Sequence, residues 1–252
     1  MIDGWPAALT IAGSDSWGGA GIEADLRAFA AFGVWGSAAV TAVTAQNHRG
    51  VLAAQLVSPD LVQAQIDAVA ETGAIRAVKT GMLGDAAVIE AVAGALRRHR
   101  LGPLVVDPVQ AASQGGSLLD PAAVPVLAER LLPLCTLVTP NLPEAEAFLG
   151  RRIAERSEMP DAAEALAALG PEAVLLKGGH LAGAESPDLL WRGGSATWLE
   201  GRRIPAAHSH GTGCTLSAAI TAGLARGEDL LDACRTAKDY VSLALQALVK
   251  RQ

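Results

Sequence analysis

Aromatic side chains are scarce in this chain of 252 residues, with one Tyr, three Phe and five Trp against 50% hydrophobic residues overall. Its core must therefore rest on Ala, Val and Leu, and the length is enough to bury one without metals or disulfides. Cysteine is sparse too. Cys135, Cys214 and Cys234 are odd in number and lack C-x-x-C spacing. That argues against a disulfide framework or a zinc site and fits reduced thiols in a cytoplasmic protein. Positive charge is neither dominant nor clustered. A net charge of −6 and no Lys/Arg patch argue against a nucleic-acid groove. The densest basic run, Arg97-Arg98-His99-Arg100, reads as the solvated end of a helix. No apolar run reaches a membrane span without charges, and Met1 leads straight into Gly4, Trp5 and Pro6 rather than a signal peptide. A soluble protein without a membrane partner is expected. Two nucleotide motifs are also missing. There is no Walker G-x-x-x-x-G-K-[ST], and Gly18-Gly19-Ala20-Gly21 only loosely approaches G-x-G-x-x-G.

What the chain does have is a rhythm. Residues 8–13 are a short apolar run ending in glycine and read as a buried strand, followed by a glycine-rich loop over 14–21. Apolar residues at helical spacing fill 22–32, closed by Gly33 as a C-terminal cap. Residues 34–45 are apolar and β-branched, hence a second strand. Helices are expected over 59–72, 85–100, 143–149 and 161–169, and strands over 75–79, 104–107, 136–139 and 173–177. Residues 189–204 read as one or two exposed strands, and two Ala/Leu-rich helices close the chain. This alternation predicts an α/β fold with a mostly parallel sheet covered on both faces. With no linker, repeat or low-complexity tract, residues 1–252 are expected to form one domain.

In such sheets ligands sit beyond the carboxyl ends of the strands. The residues at those ends are Gly13-Ser14-Asp15, Thr44-Ala45-Gln46-Asn47, Lys79-Thr80-Gly81-Met82, Asp107-Pro108-Val109, Thr139-Pro140-Asn141 and Lys177-Gly178-Gly179-His180. Singly each is ordinary loop chemistry; together on one edge they outline a site. Asp107, Asn141 and Glu144 offer oxygen ligands to a hard cation such as Mg²⁺, which takes one or two carboxylates and bridges to phosphates. Asn141 and Glu144 fit equally well as an N-cap and its capping-box partner, and the two roles are compatible. Lys177-Gly178-Gly179 places a flexible positive charge beside close backbone approach, which suits phosphate.

The stretch His210-Gly211-Thr212-Gly213-Cys214-Thr215 precedes an apolar helical pattern. Glycine lets a ligand approach the main chain, and the first helical turn carries N–H groups and partial positive charge. Gly211, Thr212 and Gly213 thus suit an anion, and a cysteine held there should have its thiol pKa, ordinarily about 8.5, lowered. A tight turn holding a small buried residue is the alternative.

These motifs, with Leu9-Thr10-Ile11-Ala12-Gly13-Ser14-Asp15, Gly18-Gly19-Ala20-Gly21-Ile22, Ala24-Asp25-Leu26 and Leu142-Pro143-Glu144-Ala145, resemble the hydroxymethylpyrimidine/phosphomethylpyrimidine kinases of thiamin biosynthesis. The likeness runs in order along nearly the whole chain. It implies a ribokinase-like three-layer αβα sandwich and the ATP-dependent phosphorylation of 4-amino-5-hydroxymethyl-2-methylpyrimidine, then of its monophosphate. By the resemblance Gly13, Asp25, Gln46, Met82 and Val109 surround the pyrimidine. Asp107, Thr139, Asn141, Glu144, Lys177 and Gly179 line the ATP·Mg²⁺ side, with Asp107 and Glu144 toward the metal. Gly211, Thr212 and Gly213 form the anion hole. Most ribokinase-like enzymes carry aspartate where this chain has Cys214, and cysteine is typical of the pyrimidine kinases. Cys214 is then a mild base for the alcohol, which the second step, onto a phosphate, does not need. Two departures matter. Trp17 stands at a usually small position, as a lid or a cover. Ser113 replaces the usual lysine in the loop after Asp107, which weakens the expectation for the second phosphorylation. A pyridoxal or pyridoxine kinase and a catalytically idle pyrimidine-binding protein are the rival readings. A homodimer is expected through the exposed strands of 189–204.

Overall fold

A computed structural model of the chain describes residues 4–112, 115–205 and 210–249. Its nine strands form one sheet in the order β3-β2-β1-β4-β5-β6-β7-β8-β9. Their bounds are β1 Ala7–Asp15, β2 Trp35–Asn47, β3 Gly50–Leu56, β4 Ile75–Thr80, β5 Leu104–Val106, β6 Leu137–Val138, β7 Ala173–Lys177, β8 Asp188–Arg192 and β9 Ser195–Leu199. The central run from β2 to β7 is parallel, while β3, β8 and β9 pair antiparallel at the two edges. Between and after the strands come helices α1 Gly21–Ala31, α2 Pro59–Ala70, α3 Ala86–His99, α4 Val124–Arg130, α5 Leu142–Leu149, α6 Met159–Ala167, α7 Thr212–Ala225 and α8 Leu230–Val249.

The period of two in the strands divides the core into two layers. Leu9, Ile11, Val78, Leu104, Val106, Val138, Val174 and Leu176 face α2 to α6, within the larger hydrophobic cluster. The alternate positions, Ala8, Ala77, Val105, Leu137 and Leu175, face α1, α7 and α8. This is the expected αβα sandwich. On the second face, where α1 meets α7, the contact consists of Ala28 and Phe29 against Ala218, Ala222 and Ala225. Small residues let these two helices approach closely, and Phe29 fills the remaining space. Helix α7 is buried on nearly all sides, which its all-round apolar sequence explains.

Caps follow the sequence where polar residues allow it. Helix α3 ends in Arg97, Arg98 and His99, favourable near the negative end of the dipole, with Arg100 left-handed at φ 52°. Asn141 and Glu144 form a reciprocal capping box on α5. Two expectations are corrected. The region 189–204 does hold two strands, and the edge strand β9 is exposed at Ser195 and Ala196, but Leu189 and Leu190 of β8 are buried between β7 and β9 under α6 and α8. The sheet also holds β3, which no sequence pattern announced. Among the described residues, no helix is long and apolar enough to cross a membrane.

Because Phe29 sets the spacing of α1 against α7, Phe29→Ala should lower the unfolding free energy by about 3–5 kcal/mol. Urea denaturation checks this, and a loss below about 1 kcal/mol would show that the two helices are held otherwise.

Candidate active site

The parallel strands end along one edge of the sheet, and a cavity of about 770 Å³ lies there. One side of its wall holds Gly13 after the core of β1, Gln46 from β2, Met82 after β4 and Val109 after β5. A Cβ at position 13 would stand 3.0 Å from Met82 Sδ, so glycine there lets Met82 lie on the backbone. The loop after β1 is laced to β2. Gln46 N–H donates to Ser16 Oγ at 2.9 Å, Ser16 Oγ donates to the Gln46 carbonyl at 3.0 Å, and Thr44 Oγ1 donates to the Ser14 carbonyl at 2.8 Å. Trp17 is 61% exposed, its ring 5.6 Å from that of His48, and it is not part of the cavity wall.

Asp25 does not reach the cavity, contrary to expectation. It is fully buried, its two oxygens each 2.8 Å from Lys79 Nζ and Oδ2 accepting from Thr10 Oγ1 at 2.6 Å. An aspartate so engaged has little left to offer a pyrimidine. Its partner Lys79, read in the sequence only as part of a strand end, borders the cavity from behind the surface. Burial works against the Lys79 charge, but Asp25, Cys214 and Asp107 together outweigh it and hold the ammonium protonated above its usual range.

On the opposite side stand Asp107 after β5, Asn141 and Glu144 at the start of α5, and Lys177 and Gly179 at the end of β7. Lys177 Nζ lies 3.1 Å from Asp107 Oδ1 and 3.9 Å from Glu144 Oε2, between the two carboxylates. Asp107 Oδ2 accepts from Ser217 Oγ of α7 at 3.2 Å. Glu144 Oε2 also accepts from the Asn141 N–H at 2.8 Å, so capping and facing the cavity do coexist. Burial pushes the Glu144 carboxyl up to about 7, with Lys177 opposing. Thr139 is corrected in turn. It is buried behind Asp107, with Oγ1 3.4 Å from Asp107 Oδ1, and forms no part of the wall. Ser113 lies outside the described residues.

Residues unmarked in the sequence complete this side. Lys238 Nζ of α8 donates to Asp188 Oδ2 at 2.6 Å, and Asp188 Oδ1 accepts the Gly178 N–H at 3.0 Å. Arg203 donates to the carbonyls of Gly179 at 2.7 Å, Leu181 at 2.5 Å and Gly183 at 2.9 Å, fixing the turn after β7. No local pattern announces these contacts, which bridge 10 or more residues. Among the described residues no group of three or more His, Cys, Asp or Glu is placed to hold a metal.

The two sides meet at the start of α7. Gly211 caps it at φ 79° without a side-chain cap. A Cβ on Gly211 would lie 1.8 Å from the Gly19 carbonyl oxygen, so no other residue fits. A Cβ at 213 would stand 3.5 Å from Lys177 Nζ and 3.8 Å from Asp107 Oδ2, which puts the turn beside the carboxylates. Thr212 and Cys214 share the wall. The Gly21 N–H at the start of α1 favours the Cys214 thiolate, so two helix starts act on this thiol. Its pKa is nevertheless not lowered. Burial pushes it up to about 11, Asp107 and Asp25 add to this, and Lys79 only partly opposes them.

Two measurements follow. Lys79→Met leaves a buried carboxylate unpaired and should cost about 3–5 kcal/mol in urea melts, with Lys79→Met/Asp25→Asn recovering much of it. A single variant as stable as wild type would refute the buried pair. Iodoacetamide attacks thiolates, so Cys214 alkylation should be slow at pH 7 and accelerate as pH rises toward about 11. A plateau already reached at pH 7 would show the thiol to be ionised.

The family model described as phosphomethylpyrimidine kinase matches residues 15–251. The hydroxymethylpyrimidine/phosphomethylpyrimidine kinase of Rhizobium meliloti (strain 1021) is 52% identical over 241 residues, covering 95% of this chain and 90% of the relative. The solved phosphomethylpyrimidine kinase of Clostridium difficile 630 superposes with a TM-score of 0.85 at 40% identity, over 95% of this chain and 99% of that one. A pyridoxal kinase of Bacillus subtilis, solved as an ADP complex, gives a TM-score of 0.86 at 37% identity, over 94% and 90% of the two chains. The chain belongs to the phosphomethylpyrimidine kinase family, on a ribokinase-like fold.

Proposed function

We propose that this protein phosphorylates 4-amino-5-hydroxymethyl-2-methylpyrimidine and then its monophosphate, in thiamin biosynthesis, with ATP as donor. The observation that carries the reading is the continuity of one cavity. A wall of Gly13, Gln46, Met82 and Val109 runs into a wall of Asp107, Glu144 and Lys177, and Gly211 to Cys214 stand where they join. An aminopyrimidine edge needs a donor and an acceptor, and the Gln46 amide supplies both. With Asp25 withdrawn into its ion pair, Gln46 is the remaining side chain of the expected pairing.

Asp107 and Glu144 fit Mg²⁺, which takes one or two carboxylates and completes its shell with water and phosphate. Bound there, the ion would supply charge neutralisation for the donor phosphates. Lys177 adds a point charge beside the anion hole, and Gly211, Thr212 and Gly213 present the start of α7 to the transferring group. Phosphoryl transfer through a loose transition state depends mainly on such positioning and electrostatics.

Cys214 takes the proton of the hydroxymethyl group. With its pKa pushed up to about 11, the Cys214 thiol is protonated at neutral pH and must ionise when ATP and the pyrimidine bind. Lys79, the Gly21 N–H and the start of α7 are the groups that favour the thiolate. The second acceptor is a phosphate, already ionised, and needs no base.

The likeness to a pyridoxal kinase supports a second reading, phosphorylation of another hydroxymethyl heterocycle. We also place the protein in the cytoplasm and propose a homodimer. The exposed strand β3, with Leu52 79% and Leu56 38% exposed, suits a second copy better than the buried β8.

A coupled assay of ADP release, offering hydroxymethylpyrimidine, its phosphate and pyridoxal separately to one preparation, tests the proposal. Turnover of both pyrimidines above pyridoxal is expected. Turnover of pyridoxal alone would establish the second reading, and no ADP release with any of the three, with tight pyrimidine binding intact, would leave an idle pyrimidine-binding protein.

A further inference from the structure

The first glycine loop and the anion-hole turn come from opposite ends of the chain, yet a side-chain bond joins them. His210 Nε2 lies 2.9 Å from Asp15 Oδ2, across 195 residues of sequence. Facing a carboxylate, that nitrogen carries the hydrogen and donates it. Asp15 is almost fully buried and accepts two more bonds, from the Trp17 N–H at 2.9 Å and the Ala20 N–H at 2.8 Å, so it grips both ends of the 17–20 loop. Burial alone would raise its pKa, but the hydrogen bonds from His210, Ala20, Trp17 and Gln46 hold it below the ordinary carboxylate range.

The fit around this bond is tight. A Cβ on Gly19 would stand 2.5 Å from His210 Cδ2, and one on Gly211 would stand 1.8 Å from the Gly19 carbonyl oxygen. The two loops therefore touch backbone to backbone, with the imidazole ring wedged against Gly19. His210 Nδ1 is buried and has no hydrogen-bond partner among the described residues, so the ring is oriented through Nε2. One residue beyond Ala20, the Gly21 N–H acts on the Cys214 thiol and favours its ionised form. Whatever fixes the two loops against each other also fixes that contact.

We propose that Asp15 and His210 are a positioning pair for phosphoryl transfer, their bond setting where the anion hole and Cys214 stand relative to the acceptor pocket. This rests on the phosphotransferase reading of the same cavity. The anion hole receives the transferring group in both phosphorylations, so the pair serves both steps, whereas Cys214 as base serves only the first. Gln46 on the pyrimidine side also helps hold the Asp15 carboxyl low, so variants of His210 separate positioning from substrate binding more cleanly.

The test compares wild type with His210→Leu, His210→Gln and His210→Asn on hydroxymethylpyrimidine and on its phosphate, with unfolding midpoints measured alongside. A glutamine amide extends about as far as Nε2 and can donate to Asp15; an asparagine amide falls short. His210→Leu should lower kcat in both steps on the order of tenfold or more, since small displacements of reacting groups are costly. KM for the pyrimidine should stay within about twofold, the sign that binding is spared. His210→Gln should recover most of kcat and His210→Asn should not, at similar midpoints. If the leucine variant does not fold, the Gln and Asn contrast decides alone. The proposal is overturned if Gln and Asn are equally active, if kcat follows stability rather than reach, or if the loss is confined to the first step. Failure of wild type to phosphorylate either pyrimidine would instead remove the reading on which the pair depends.

Discussion

The carbonyl oxygen of Gly19 occupies the space where a side chain on Gly211 would have to be. From that close approach of two backbones the rest of the site follows. It brings the start of α1 and the start of α7 to one point, so that the Gly21 N–H and the first turn of α7 face the same thiol. Neither loop could come so near unless the helices behind them were also close. The alanines of α7 and the single large ring of Phe29 provide this. A chain poor in aromatics uses its few where spacing matters, and smallness elsewhere.

Two buried ammonium groups flank the meeting point, and their surroundings differ. Lys79 is fully buried and bound to Asp25, an arrangement that keeps its charge fixed near Cys214 without offering it to a ligand. Lys177 keeps 13% of its side chain exposed and lies between Asp107 and Glu144, on the side proposed for the nucleotide. The first acts as a standing field in a medium of low polarity, where charges act over longer range. The second is the charge proposed to meet the donor phosphates. Burial dominates at both Glu144 and Cys214, raising the two acids alike, so the site is less charged than its residues suggest.

Much of this was legible in the sequence, and the gaps have physical causes. The alternation of strands and helices identified the sheet because buried parallel strands are continuous apolar runs. The capping box at Asn141 and Glu144 was readable because both partners lie within one helical turn. Strand β3 escaped because nearly all its residues are exposed, which erases the alternation that marks a half-buried strand. Helix α4 is short and carries Pro125 in its first turn, too little for a period to show. Asp25 was placed on the pyrimidine because its motif was recognised while its partner, 54 residues away, was not. The thiol of Cys214 was expected to ionise easily because the helix start is visible in sequence, whereas desolvation belongs only to the folded chain.

Cys214, at the junction of the two glycine loops, is proposed as a base for an alcohol and for nothing else. The direct measurement is the rate of each phosphorylation by Cys214→Ala. Phosphorylation of hydroxymethylpyrimidine should fall by about 10²-fold or more, the usual scale for loss of a general base. Phosphorylation of the monophosphate should stay within about threefold of wild type, since that acceptor has no proton to give up. Equal losses in the two steps, or an unchanged first step, would contradict it.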